Sequence, residues 1–287
     1  GDMLAAALLE LLPDPGAFVA ELNALGIPSV HIKAEPAIKC GITGTHLSVA
    51  VNGQEEESRD HHRDAHGHHH DHPHHGHGHT HEQAHTHSHH HSGLHDIEHI
   101  VQGHLALPEK VKRDIMAVYA LIAEAESHVH GVPAAEIHFH EVGTMDAIAD
   151  ITAVCLLMDR LAPDEVIASP VHVGSGKVHC AHGILPVPAP AAAYLLKDVP
   201  IYGGSVQGEL CTPTGAALLK HFVTRFGDMP VMRTCAIGYG CGKKDFEAAN
   251  CLRAILGETE GAADTVLNLS CNIDDMTPEA LGFAQEI

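Results

Sequence analysis

The densest group of chemically active side chains in the sequence is "HFHEVGTMDAIAD", residues 138 to 150, with two histidines, a glutamate and two aspartates. In an extended segment alternate side chains share a face, so His138 and His140 should point into one cleft while Phe139 turns into the core. Neutral imidazoles bind nickel, zinc and similar divalent ions. We therefore expect His138 and His140 to be metal ligands.

The carboxylates of the same segment add ligand or base chemistry. Asp146 and Asp150 are four residues apart near the start of the next predicted helix, which puts both side chains on one face. A carboxylate there can complete a metal shell, orient an imidazole or accept a proton, so we take Glu141 and Asp146 as candidates for the base or an additional ligand. His128 and His130, in "HVHG" at the end of the preceding helix, are further candidate ligands. The alternative is helix capping with surface histidines.

A second histidine-rich segment, residues 61 to 91, contains 17 of the 30 histidines of the chain. It has almost no apolar side chain to bury, so we expect a disordered loop that interrupts a domain. Such a loop offers many weak, exchanging sites, which suit the capture and transfer of nickel rather than catalysis. The alternative is a purification tag or neutral low-complexity sequence, although a tag would stand at a terminus. The predicted ligands in this segment are His68, His70, His77, His79, His81 and His89.

Three segments could contact a phosphate. "GSGKVHCAHG" (174 to 183) and "GYGCGKK" (238 to 244) combine glycines with lysines, and "CTPTGAALL" (211 to 219) opens a predicted helix whose free N–H groups favour an anion. None has the Walker spacing, and ordinary turns with a helix cap are the alternative. The candidate contacts are Gly174, Gly176, Lys177, Thr212, Thr214 and Gly215.

Apolar spacing predicts the elements that must position these residues. We expect two short helices within residues 3 to 25, a hairpin with its turn at Gly41 to Gly44, and helices that begin near Asp96 and at Pro108. Further predicted helices are residues 147 to 161, "PVPAPAAAYLLK" and "TPTGAALLKHF", and further predicted strands are "EVIA", "VMRTCAIGYGCG", "CLRAILGE" and "TVLNLSCNID".

Strands and helices that do not alternate strictly indicate an α/β or α+β fold, with a mixed sheet, flanking helices and a disordered histidine-rich insertion. We assign residues 1–60 and 94–262 to one main domain, residues 61–93 to the loop, and residues 263–287 to the start of a truncated C-terminal domain.

The charge and cysteine content limit the classes of function. Lys and Arg total 16 against 37 Asp and Glu, which disfavours binding to nucleic acids and to anionic membranes. The eight cysteines include no C-x-x-C pair. The sequence shows neither a signal peptide nor an apolar segment of about 18 residues, the length that a membrane helix needs. We expect a soluble cytoplasmic protein with reduced thiols.

Five segments together resemble the pyridinium-3,5-bisthiocarboxylic acid mononucleotide nickel insertion protein family. They are "GDMLAAALLELL", "HVHGVPAAEIHFHEVGTMDAIADI", "AHGILPVPAPAAAYLL", "GELCTPTGAALL" and "NIDDMTPEALG". The resemblance implies a nickel chelatase or cyclometallase of the lyase class, which inserts nickel into that mononucleotide through two Ni–S bonds and one Ni–C bond. It also implies a need for CTP with Mg²⁺ or Mn²⁺, and delivery of the nickel-pincer cofactor to enzymes such as lactate racemase. A homo-oligomer is compatible with it.

The resemblance also implies a strand and a glycine-rich segment before Gly1, and another domain after "MTPEALG", whose contacts with nickel or CTP the present residues do not reveal. Two other functions remain open. A non-catalytic store of nickel or zinc would account for the histidine run. A metal-dependent hydrolase also uses H-x-H on a strand, but its barrel would need about eight strand–helix units, which this chain does not show.

Overall fold

The computed structural model describes residues 1–55, 92–139, 142–180, 182–259 and 265–270. Within these residues the helices begin and end close to the predicted positions, because proline or a polar residue starts most of them. The helices are α1 (Asp2–Leu9), α2 (Pro15–Ala24), α3 (Leu94–Gly103), α4 (Glu109–His130), α5 (Met145–Leu161), α6 (Pro190–Leu195) and α7 (Pro213–Phe222), with a 3₁₀ turn at Ala134–Glu136.

The strands of the described residues form one large sheet and several short pairs. They are β1 (Val30–Lys39), β2 (Ile42–Val51), β3 (Gln54–Glu55), β4 (Ser92–Gly93), β5 (His138–Phe139), β6 (Glu165–Ala168), β7 (Val171–His172), β8 (Gly174–Ser175), β9 (Lys177–Cys180), β10 (Gly183–Pro186), β11 (Ile201–Tyr202), β12 (Gly208–Glu209), β13 (Arg225–Phe226), β14 (Met232–Cys241), β15 (Cys251–Thr259) and β16 (Thr265–Ser270).

The large sheet has the order β1-β2-β14-β15-β16-β6-β13, with β3 beside β2. Strand β2 is parallel to β14, and β6 is parallel to both β16 and β13, while the other neighbours are antiparallel. The predicted mixed sheet with flanking helices is therefore confirmed. The predicted insertion falls almost entirely outside the described residues, which resume at residue 92.

The β1–β2 hairpin turns earlier than the sequence suggested. Lys39 pairs with Ile42, so the turn is Cys40–Gly41, with φ of 48° and 83°. Two consecutive positive φ angles are typical of the two-residue turn that matches the twist of a hairpin. Gly44, predicted as part of the turn, instead lies inside β2, where a Cβ atom would meet the Tyr239 carbonyl oxygen at 2.5 Å.

Helix α1 packs with its backbone directly on β14. A Cβ atom on Gly240 would lie 1.8 Å from the Met3 carbonyl oxygen, and one on Gly238 would lie 2.1 Å from the Ala7 carbonyl oxygen. These two glycines of "GYGCGKK" therefore lie in a strand and allow close helix packing. The Glu10 carboxylate also joins α1 to β14, because its Oε2 accepts from the Tyr239 amide at 2.7 Å.

Helix α2 packs on β1, and the remaining helices group around α4. Helix α5 packs on α1 and β2, and α4 packs on α5 and carries α6 and α7 on its other sides. Both helices contribute fully buried side chains to the core, Ile115, Tyr119 and Ile122 from α4 and Ile148 and Ile151 from α5. This packing fixes the start of α5, where the predicted carboxylates stand.

Strand β16 lies between β15 and β6 in the large sheet. Residues 265–270 of the segment assigned to a C-terminal domain are thus part of the main sheet, while residues 271–287 lie outside the described part of the chain. Among the described residues, no helix is both long and apolar enough to cross a membrane. None of the seven cysteines in this part of the chain forms a disulfide.

Candidate metal and proton-transfer site

The described half of the "HFHE" motif has the predicted alternation. His138 is exposed, whereas Phe139 is 1% exposed and its ring lies 6.0 Å from the ring of Tyr119. Phe139 therefore anchors β5 to the core through α4 and leaves His138 on the open face. His140 and Glu141, the other predicted members of the cluster, lie outside the described residues.

A short antiparallel pair links this motif to the end of the histidine run. Ser92 pairs with Phe139 and Gly93 pairs with His138. The Gly93 amide also donates to Asp96 Oδ2 at 2.9 Å, which fixes β4 to the first turn of α3. The chain that follows residue 91 is thus held against the strand that leads to His140. The six ligands predicted within the run lie outside the described residues.

The carboxylates of Asp146 and Asp150 lie on the face of α5 that meets Tyr119 of α4. Asp146 Oδ1, Asp150 Oδ1 and the Tyr119 hydroxyl are all inaccessible to solvent and have no hydrogen-bond partner. Both carboxylates act electrostatically on Tyr119, which is 0% exposed. The prediction that the two aspartates share a face is consistent with this arrangement, and Tyr119 is an additional polar group that the sequence did not single out.

The environment of Asp150 favours its protonated form. Burial raises the pKa of Asp150 to about 7, and the negative charges of Asp2 and Asp146 add to the rise. A backbone hydrogen bond from Asp2 opposes it. A carboxyl group with a pKa near neutrality can both accept and release a proton at physiological pH.

Tyr119 remains a neutral hydroxyl beside these carboxylates. Burial raises the pKa of Tyr119 well above its ordinary value, and the charges of Asp146 and Asp150 raise it further. A neutral phenol retains its proton and can donate a hydrogen bond. Two acidic side chains of α5 thus act electrostatically on one buried hydroxyl of α4.

The two histidines at the end of α4 contact a different part of the fold. The His130 ring lies 4.9 Å from the ring of His182, and His130 Nε2 lies 3.2 Å from Glu126 Oε2. The His128 ring stacks on Tyr194 at 4.5 Å, with 30° between the planes. His182, in the turn between β9 and β10, is a neighbour that spacing along the chain could not reveal.

The predicted metal ligands do not all meet within the described residues. In this part of the chain, no group of three or more His, Cys, Asp and Glu side chains is arranged to hold a metal ion. The structure describes His138 on β5 and both His128 and His130 on α4. It does not describe His140 and Glu141. The assignment of these five residues to one centre stays a prediction.

The glycine-rich segment at residues 174 to 177 forms strands rather than an open loop. Gly174 has φ of 83°, and a Cβ atom there would lie 2.0 Å from the Gly208 carbonyl oxygen, so glycine permits the β8–β12 pair. Gly176 also has φ of 83° and lies beside the Gln207 side chain. Lys177 is exposed at the start of β9.

The threonines at the start of α7 have separate roles. Thr212 is the N-cap, and its Oγ1 accepts from the Gly215 amide at 3.3 Å. Thr214 is 9% exposed and faces the core. Capping, the alternative reading of this segment, accounts for the Thr212 side chain, and a phosphate contact by Thr212, Thr214 or Gly215 stays a prediction.

Comparisons with known proteins add a family to this geometry. The chain matches the family described as "Nickel insertion protein" over residues 1–287. Relatives named "Pyridinium-3,5-bisthiocarboxylic acid mononucleotide nickel insertion protein" include one from Staphylococcus saprophyticus, 49% identical over 178 residues, covering 62% of this chain and 46% of the relative. One from Clostridium acetobutylicum is 45% identical over 292 residues, covering 100% of this chain and 68% of the relative.

A third relative of the same name, from Staphylococcus epidermidis, is 37% identical over 284 residues, covering 99% of this chain and 63% of the relative. The chain thus spans between 46% and 68% of the length of these three relatives. No solved structure matches the chain.

Proposed function

The chain belongs to the nickel insertion protein family, and we propose that it takes part in inserting nickel into pyridinium-3,5-bisthiocarboxylic acid mononucleotide, the substrate in the names of its relatives. The observation that carries the proposal is the family match over residues 1–287. The neighbourhood of β5 supports it, because this strand carries an exposed histidine and the helix that follows it begins with two carboxylates four residues apart.

The proposed chemistry requires metal ligands beside a base. Nickel arrives as a substrate, and His138 and His140 hold it, with His128 and His130 as further candidates. The ring carbon between the two thiocarboxylate groups loses its proton as the Ni–C bond forms, so the electron pair of the C–H bond passes to the metal. Glu141 or Asp146 accepts the proton, since a carboxylate held beside the reacting carbon can act as a general base. The two thiocarboxylate sulfurs bind the nickel without further proton transfer.

The histidine run serves as a nickel reservoir in this proposal. A segment that carries many weak ligands raises the local concentration of the ion near the point where it joins the fold. The β4–β5 pair supports this role, because it joins the end of the run to the strand that contains His138. Nickel released from the run is then close to the "HFHE" motif.

The remaining assignments follow from the resemblance. The reaction uses CTP with Mg²⁺ or Mn²⁺, as expected for a CTP-dependent cyclometallase of the lyase class. The candidate phosphate contacts are Gly174, Gly176, Lys177, Thr212, Thr214 and Gly215. The protein acts in the cytoplasm, alone or as a homo-oligomer, and passes the finished cofactor to enzymes such as lactate racemase.

A nickel store is the second candidate, favoured by the 17 histidines of residues 61–91. The two functions differ in the fate of bound nickel. The full-length protein is loaded with nickel, freed of excess metal, and then given the mononucleotide, CTP and Mg²⁺ in the presence of a strong chelator. Insertion transfers nickel to the mononucleotide in a form that resists the chelator, whereas a store loses all its nickel to the chelator.

A further inference from the structure

Two cysteines stand directly opposite each other at one end of the large sheet. Cys241 is the last residue of β14, Cys251 is the first residue of β15, and the antiparallel register pairs them. Just beyond this pair, the Gly242 amide donates to the Asn250 carbonyl oxygen at 3.0 Å, so Cys241 and Cys251 form a non-hydrogen-bonded pair. Of the two kinds of antiparallel pair, this kind brings the opposite side chains closer together.

The separation of such a pair suits a disulfide. In a non-hydrogen-bonded antiparallel pair the two Cα atoms are about 4.5 Å apart. A disulfide joins residues whose Cα atoms are about 4.4–6.8 Å apart. The side chains of directly opposite residues also lie on the same face of the sheet. The backbone thus already holds the two cysteines at a separation that the bond allows.

Both thiols lie on the face of the sheet that is turned away from α1. Gly240 faces α1, and side chains alternate along a strand, so Cys241 and its opposite neighbour point to the other face. Cys241 is 0% exposed and Cys251 is 6% exposed. Cys241 Sγ leans toward β2, 3.0 Å from where a Cβ atom on Gly44 would stand. Rotation of its χ1 angle to another staggered position turns the sulfur toward Cys251.

A lysine of the first hairpin fastens the loop beside the pair. The loop is residues 242–250, and Lys39 Nζ donates to the carbonyl oxygens of Lys243 and Lys244 at 3.1 and 3.2 Å and to Asp245 Oδ1 at 2.6 Å. Burial raises the pKa of both thiols, and a protonated thiol is a poor nucleophile. The fastened loop therefore favours the reduced form, in which the structure shows both cysteines.

We propose that Cys241 and Cys251 are a redox-sensitive pair that closes to a disulfide on reaction with a small disulfide oxidant, which opening of the loop admits. Cys251, the more exposed thiol, loses its proton and attacks one sulfur of the oxidant, which releases one thiol and leaves a mixed disulfide. Cys241 then loses its proton and attacks Cys251 Sγ, which releases the second thiol. Two cysteine thiols are oxidised, and one oxidant molecule is reduced to two thiols that take up the two protons.

Peptide mapping tests this inference on the intact protein, without nickel or mononucleotide. The protein is incubated with cystamine, its remaining thiols are alkylated in denaturant, and it is digested without reduction. Trypsin cuts after Lys243, Lys244 and Arg253, so it separates the two cysteines unless a disulfide joins them. We expect peptides 234–243 and 245–253 to appear as one linked species, two hydrogen atoms lighter than their sum, which dithiothreitol separates.

Matched variants make the test specific. Cys241→Ala and Cys251→Ala should each abolish the linked species. Cys211→Ala should retain it, because Cys211 is also 6% exposed but lies outside the large sheet. Lys39→Met removes the contacts that fasten the loop and should speed formation of the link by about tenfold, as expected when hydrogen bonds to a charged group are lost. Circular dichroism verifies that each variant is folded.

The exposed Cys40 serves as the internal standard, because it should form a mixed disulfide with cystamine in every variant. Wild-type protein that is modified at Cys40 but contains no linked species would overturn the inference, as would a link that persists in Cys241→Ala through Cys235. An unchanged rate in Lys39→Met would overturn the role of the loop. None of these outcomes bears on the proposed nickel insertion, which requires no disulfide.

Discussion

Asp150→Asn should stabilise the protein at alkaline pH. The pKa of Asp150 is about 7 in the folded protein and 3.8 in the unfolded chain. Between these values the folded state binds more protons, so the free energy of unfolding falls as pH rises from 4 to 7. A rise of about three pKa units lowers the free energy of unfolding by about 4 kcal/mol, and this loss is complete above pH 7. Asparagine has no charge to bury and avoids this loss.

The assay is urea unfolding followed by circular dichroism at pH 4.5 and pH 8, with a chelator present to remove divalent cations. We expect Asp150→Asn to exceed the wild type by up to about 4 kcal/mol at pH 8 and by much less at pH 4.5. Asp159→Asn is the control with the opposite sign, because it breaks a partly exposed ion pair and should cost about 1 kcal/mol or less at pH 8. A variant at residue 150 that is no more stable than the wild type at pH 8 would refute the reasoning.

Three further predictions concern packing, the histidine run and the motif. Gly240→Ala should push α1 away from the sheet and lower the free energy of unfolding by about 1–3 kcal/mol. Gly103→Ala is the control, because it has open space around it and should not destabilise the fold; thermal unfolding compares the two variants. Deleting residues 61–91 should lower the number of nickel ions bound per chain, measured by metal analysis, while unfolding stays cooperative. In the intact chain, nickel bound to these histidines should dissociate below about pH 6.5, because protons compete for the imidazoles. His140→Ala and Glu141→Gln should each abolish insertion, measured as metallated product, while stability changes by about 0.5 kcal/mol or less.

Local patterns in the sequence predicted most of the elements. Pro108 and the apolar spacing after it located α4, and alternation placed Phe139 inside and His138 outside. These features depend on residues that are neighbours along the chain. The turn of the first hairpin was misplaced, because Gly44 resembles a turn glycine but serves a contact with Tyr239, almost two hundred residues away.

The tertiary contacts of the site could not be predicted in the same way. Tyr119 occupies a position in the apolar stripe of α4, and only the packing of α4 on α5 brings its hydroxyl to Asp146 and Asp150. His182 meets His130 only because the β9–β10 hairpin folds onto the end of α4. Both contacts join segments that are distant in the sequence, so no spacing rule applies to them.

The central claim, that the protein inserts nickel by replacing a ring proton, is tested most directly with mononucleotide that carries deuterium on the ring carbon between the thiocarboxylate groups. The full-length protein receives this substrate with nickel, CTP and Mg²⁺, and mass spectrometry follows nickel and deuterium in the small-molecule fraction. The account predicts that each mononucleotide that gains a nickel ion has also lost its deuterium. Nickel that stays on the protein, or a nickel-bearing product that retains the deuterium, would contradict it.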